Sequence, residues 1–135
     1  MAIPQNVSIV TLGVRDLSSL RAFYRGWGWS ETEGASEAWA AFDVGGWLLS
    51  LYPRDLLGRE AAPGEPVPQQ RWNGFTLAIN VDSESELRAM YDAAVAAGAS
   101  VVSPPVRREW GGISGYVSDP EGNRWELAIG SDVAE

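Results

Sequence analysis

Apolar and polar positions alternate with a period of two in VSIVTLGV, from Val7 to Val14. Val10, Leu12 and Val14 fall on one face and Ile9, Thr11 and Gly13 on the other, which predicts a strand. The period then changes. Leu17, Leu20, Phe23 and Tyr24 have helical spacing, with Asp16 or Ser18 placed as a cap and Gly26 and Gly28 placed to end the helix. Short strands are expected next at about Trp29 to Glu33, Ala38 to Val44 and Trp47 to Tyr52, the last two joined through Gly45-Gly46.

Residues 53 to 73 interrupt this order. They hold Pro53, Pro63, Pro66 and Pro68 with Gly58 and Gly64. A connection this long is functional or links structural units. Asp55 to Glu60 has the composition for a short helical turn within it.

The order then restarts. FTLAINV, from Phe75 to Val81, reads as a strand with Leu77, Ile79 and Val81 on one face and Thr76, Ala78 and Asn80 on the other. Ser83 and Glu86 have the spacing of a capping box. The helix that follows buries Leu87, Met90, Tyr91, Ala94 and Val95 and ends at Gly98. Strands are expected at about Ser100 to Ser103, Gly112 to Ser118 and Arg124 to Ile129, with Asp119-Pro120-Glu121-Gly122 as a turn.

Strand, capped helix and three strands thus occur twice. Val14 to Asp16 matches Val81-Asp82, and Asp43…Gly46 matches Asp119…Gly122. The expectation is one α+β domain over residues 1–135, with repeat one at about 5–53, a connection at about 54–73 and repeat two at about 74–130. A lone βαβββ unit has a sheet face that it cannot bury. Two side by side are expected to give a curved mixed sheet of eight strands, with helices outside and a cleft inside.

Composition narrows the function. The 135 residues fit one domain, and 45% of them are hydrophobic, enough for a packed core. No apolar run approaches the ~20 residues of a membrane span. Met1 to Gln5 carries no basic segment before an apolar block, so no signal peptide is expected and the cytoplasm is the default location. The net charge is -8 and all ten basic residues are Arg, which argues against nucleic acid as a partner. The acidity favours a cationic small molecule, or it only keeps the protein soluble. Without Cys there are no disulfides and no thiol catalysis; without His there is no Ser-His-Asp or Cys-His arrangement.

The chain resembles the vicinal oxygen chelate superfamily, which includes glyoxalase I, bleomycin-resistance proteins and extradiol dioxygenases. The resemblance rests on VTLGVRDL (Val10 to Leu17) followed by AFY (Ala22 to Tyr24), on FTLAINV, and on WGGISGYVSDPEGNRWEL (Trp110 to Leu127). It implies metal ligands, usually His and Glu, on inner sheet faces. By position those places fall at Ile9, Ser50, Thr76 and Glu126. Catalytic zinc sites typically use three protein ligands with nitrogen, sulfur or carboxylate donors. One carboxylate beside two hydroxyls is not that set, so neither a metal nor another cofactor is expected.

Glu126 is then the polar residue of most interest. It could accept a hydrogen bond from a ligand or act as a base, or it could sit in a salt bridge to Arg124 or Arg108. Seven Trp punctuate the chain. If Ser50 and Glu126 face inward, alternation turns Trp47 and Trp125 toward the core, with Trp27 and Trp29. Trp39, Trp72 and Trp110 remain as aromatics of a cleft or of an interface. Tyr52, Asn80, Arg108 and Tyr116 lie on or near the inner face and could orient a ligand, or be ordinary strand and loop residues.

These readings converge on a metal-free binding protein of bleomycin-resistance type. It would hold a cationic or aromatic small molecule, an antibiotic among the expected classes, without breaking a bond. The resemblance implies a homodimer. The alternatives are a metal-independent enzyme using Glu126 as acid or base, with Tyr116 or Arg108 polarising the substrate, and, less favoured, a divalent-metal glyoxalase or dioxygenase.

Overall fold

The computed structural model describes residues 2–66 and 72–130. The chain divides into two units, Met1–Pro68 and Gln69–Glu135. The first contains β1 (Ile9–Val14), α1 (Leu17–Gly26), β2 (Ala40–Asp43), β3 (Leu48–Pro53) and α2 (Arg54–Ala61). The second contains β4 (Thr76–Asn80), α3 (Glu84–Ala96), β5 (Ser100–Arg107), β6 (Ile113–Ser118) and β7 (Arg124–Ile129).

The two sheets follow one plan. In the first unit the order is β1-β3-β2, with β1 parallel to β3 and β2 antiparallel to it. In the second it is β4-β7-β6-β5, with β4 parallel to β7 and the rest antiparallel. Each unit therefore pairs its first strand with its last in parallel, and the helix between strands makes the crossover such a pair needs. The α+β class and the two-unit architecture agree with the repeat read from the residues.

Period-two alternation decides which face is core. In the first unit Leu12, Val14, Leu49, Leu51, Ala40 and Phe42 are buried together with Leu20, Phe23 and Tyr24 of α1. Asp16 caps α1 by accepting from the Ser19 amide at 3.0 Å. Tyr24 stacks on Trp29 at 5.5 Å between centroids and meets Trp27 edge-on at 5.3 Å, so these two Trp line the core edge, half-buried. In the second unit Leu77, Trp125, Leu127, Ile129, Ile113 and Val117 are buried with Leu87, Tyr91 and Ala94 of α3. Burying each large aliphatic side chain contributes roughly 1.5–3 kcal/mol. Trp125 is a core residue as expected, whereas Trp47 is only half-buried.

Three expectations change. The strand at Trp29 to Glu33 reduces to a single bridge, Glu31 with Phe42, so among the described residues seven strands form, in sheets of three and four, rather than eight. Side chains hold that segment instead: Trp29 stacks on Tyr24, and Glu31 pairs with Arg21 at 2.7 Å. The strand at Ser100 runs on to Arg107 through Pro104 and Pro105. It is an edge strand, where proline is tolerated, and register shifts at Ser103 absorb the irregularity. The turn at Asp55 to Glu60 is a full helix, α2, packed on β1 and β3. Residues 67–71 of the expected connection lie outside the described residues. Among the described residues no helix is long and apolar enough to cross a membrane.

Candidate functional site

The positions that the resemblance assigns to metal ligands differ in their surroundings. Ile9 is half exposed on β1 and has no donor atom. Ser50 is 1% exposed, and its hydroxyl lies 2.6 Å from that of Thr11, its register partner across β1 and β3. Thr76 is exposed on β4. Glu126 is half-buried on β7 and is the one carboxylate of the four. Among the described residues no three His, Cys, Asp or Glu come together in a group able to hold a metal ion. This donor set does not fit the metal of the catalytic family pattern.

The second unit gathers polar groups on the sheet face opposite α3. Glu126 is the register partner of Ala78 on β4 and of Tyr116 on β6. Tyr116 and Glu126 therefore stand side by side on this face. The Tyr116 pKa rises above the usual phenol value, first through burial, then through the Glu126 charge and the hydrogen bond to it, against the opposing charge of Arg108.

Arg108 completes the group. Its Nε donates to Ser114 Oγ at 2.8 Å, and Nη2 donates to the Ser114 carbonyl at 2.9 Å. The guanidinium carbon lies 5.7 Å from the centre of the Tyr116 ring, within cation–π range. Ser114 is 1% exposed, so its backbone and hydroxyl form a rigid strut for the guanidinium. Among the described residues neither Arg108 nor Arg124 forms an ion pair with Glu126. Arg124 instead donates from Nη1 to the Gly122 carbonyl at 2.6 Å. The salt bridge to Arg124 or Arg108 does not form; Glu126 stands opposite Tyr116 instead.

Trp110 adjoins this group. The turn from Arg108 to Gly112 is closed by the Arg108 amide donating to the Gly112 carbonyl at 2.8 Å. A Cβ at Gly112 would overlap the six-membered ring of Trp110, so that ring packs against Gly112 while the side chain remains half exposed. Asn80 lies on the same sheet face as Glu126 but is exposed on the edge strand β4. Trp72 is exposed, and its Nε1 donates to the Phe75 carbonyl at 3.0 Å.

The remaining candidates belong to the first unit. Tyr52 donates its hydroxyl to Glu60 Oε2 of α2 at 3.1 Å. Trp39 is half-buried just before β2. Ser114 and Thr11 were not singled out from the sequence. Both sit two residues from a candidate on the same face, Ser114 from Tyr116 and Thr11 from Ile9, so strand alternation was the signal that could have found them.

A family model described as Glyoxalase/Bleomycin resistance protein/Dioxygenase superfamily matches residues 6–127. Among solved structures the chain is similar to a glyoxalase-related enzyme from Fulvimarina pelagi, with 31% identity, a TM-score of 0.82, and coverage of 93% of this chain and 88% of that one. It is also similar to lactoylglutathione lyase from Agrobacterium tumefaciens, with 25% identity, a TM-score of 0.71, and coverage of 95% and 96%. The fosfomycin resistance protein FosX from Mesorhizobium loti shares the fold at 20% identity, with a TM-score of 0.67 over 95% of this chain and 94% of that one. No curated protein matches. A match over nearly the whole length, with the doubled strand plan beneath it, means that this chain belongs to the glyoxalase, bleomycin resistance protein and dioxygenase superfamily.

Proposed function

We propose that this protein binds a small organic molecule on the polar face of its second sheet, without a metal ion and without breaking a bond, in the manner of a bleomycin-resistance protein. One observation carries the reading. Glu126, the sole carboxylate at a family ligand position, stands beside Tyr116, whose ring lies under a guanidinium fixed on Ser114. That surrounding suits recognition of a polar ligand, and the exposed indole of Trp110 adds an aromatic surface next to it. The net charge of -8 supports a ligand with a cationic or aromatic part, an antibiotic being one such class. The protein acts by stoichiometric sequestration as a cytoplasmic homodimer.

The test combines two measurements on protein purified without a His-tag. Elemental analysis is expected to find no stoichiometric transition metal. Titration of cationic aromatic compounds against Trp fluorescence is expected to give a saturable change. A bound metal at one per chain, or no response to any such compound, sinks the reading.

A second reading has its own support. The Tyr116–Glu126 contact is a potential acid–base couple, and the Fulvimarina pelagi relative is described as an enzyme. In that case Glu126→Gln abolishes turnover while leaving ligand binding largely in place. Unchanged turnover in that variant removes the mechanism.

A further inference from the structure

Arg108 and Glu126 carry opposite charges on one sheet face, yet they do not pair. Tyr116 stands between them, with its ring under the guanidinium and Glu126 as its register partner on the same face. Each charge is anchored separately. Arg108 is held by the neutral oxygens of Ser114, with a weaker contact to Ser103 Oγ at 3.5 Å. Its Nη1 has no partner among the described residues. In a chain with 18 carboxylates for 10 arginines, Arg21, Arg25 and Arg88 each have a carboxylate partner, whereas Arg108 rests on neutral oxygens. A collapsed ion pair would present a nearly neutral surface. Two opposite charges kept apart on one phenol present a dipolar one.

We propose that this face recognises a zwitterionic small molecule, an oxyanion such as a carboxylate lying on Arg108 Nη1 and a neighbouring ammonium donating to Glu126. The proposal rests on the reading of this face as the ligand site and adds the charge pattern of the ligand. The planar guanidinium suits an oxyanion because its N–H groups are fixed in direction and already half oriented by Ser114. Both charges flank one ring, so the two ligand groups belong to one small molecule rather than to distant parts of a polymer. The net negative charge does not forbid the anion. Exposed charges more than a Debye length away, ~10 Å at 0.1 M salt, are largely screened, whereas Arg108 acts at contact. The half-exposed Trp110 beside it favours an aromatic substituent.

Four matched probes test this through Trp fluorescence: phenylalanine, its methyl ester, 3-phenylpropionate and phenethylamine. Phenylalanine has both charges, the ester and the amine lack the anion, and the propionate lacks the ammonium. Phenylalanine is expected to bind at least tenfold more tightly than the other three. Arg108→Gln is expected to remove that margin between phenylalanine and its ester, with folding checked by circular dichroism. Ser114→Ala, which keeps the guanidinium but loosens it, is expected to shrink the margin without reversing it. Binding of phenethylamine or the ester as tight as that of phenylalanine overturns the zwitterion inference and leaves small-molecule binding standing. Unaltered phenylalanine binding in Arg108→Gln overturns it too. Silence from all four probes overturns the inference, and if the cationic aromatics above are silent as well, the binding reading falls with it.

Discussion

Tyr116 and Glu126 are register partners on β6 and β7, and their side chains share one sheet face. Strand pairing alone puts their Cα atoms side by side; the shared face puts their polar ends together. The carboxylate that the fold offers at this place is therefore already in a protein contact, while the phenol oxygen keeps acceptor capacity for a ligand.

That contact predicts a pH signature. The folded-state pKa of Tyr116 lies above its unfolded value near 10. The native state thus holds the phenol proton longer than the unfolded chain does. The stability this contributes is fully present below about pH 10 and is lost as pH rises through the raised value. Ultraviolet titration of Glu126→Gln should show one tyrosine ionising at lower pH than in the parent protein, because the carboxylate charge is gone. An unchanged titration curve would contradict the contact.

Gly112 predicts a packing penalty. A Cβ there overlaps both the Trp110 ring and the Ile129 carbonyl oxygen. The indole can swing away, but the backbone oxygen cannot do so cheaply. Gly112→Ala should cost about 1–3 kcal/mol in urea unfolding, as overpacked sites do. Adding Trp110→Ala should recover only part of it, since the Ile129 clash remains. Full recovery would place the whole cost on the indole.

Glu31 predicts an acid-sensitive contribution from the segment that did not form a strand. Arg21 donates to it through Nε at 3.1 Å and Nη2 at 2.7 Å, and to the Ser36 carbonyl. The hydrogen bond from Arg21 comes first in holding the Glu31 pKa below its usual value, with the Arg21 and Arg25 charges adding to it against burial. A depressed carboxylate stabilises the fold above its unfolded pKa, near 4.3, and loses that contribution as pH falls through the lower folded value. Glu31→Gln should cost about 1 kcal/mol at pH 7 and flatten the acid limb of the stability curve below pH 5. An acid limb identical to that of the parent would rule the ion pair out as its source.

The helix caps predict a contrast. Ser83 accepts from the Glu86 amide at 3.2 Å at the start of α3, and Asp16, not Ser18, caps α1. Ser83→Ala should therefore cost about 1 kcal/mol. Ser18→Ala, at an exposed position, should stay within about 0.5 kcal/mol of the parent. Equal losses in the two variants would mean that the caps are misassigned.

Much of this protein was determined by the sequence alone, and for a physical reason. Amphipathic period is a local property, so VTLGV, FTLAINV, the run after Asp16 and the run after Ser83 specify two strands and two helices without help from elsewhere. The doubled order and the Asp-led turns follow in the same way: Asp119 accepts from the Glu121 and Asn123 amides at 2.9 and 3.0 Å, and Asp43 from the Gly46 amide at 3.2 Å. The family motifs were legible because they lie on those same elements.

The rest was decided by partners distant in the chain. Trp29 to Glu33 has strand-like residues, but the stacking on Tyr24 and the pairing with Arg21 left it one bridge. Arg54 to Ala61 reads weakly as a helix because packing on β1 and β3 stabilises it; a side chain at Gly13 would press on Leu57 at 3.1 Å. Alternation could place Arg108, Tyr116 and Glu126 near one face, but not say which charges would touch. That depended on strand register, which set Tyr116 opposite Glu126, and on the turn before β6, which aimed Arg108 at Ser114. Periodicity fixes faces; only tertiary pairing chooses the neighbours on them, and the chemistry of this site is a matter of neighbours.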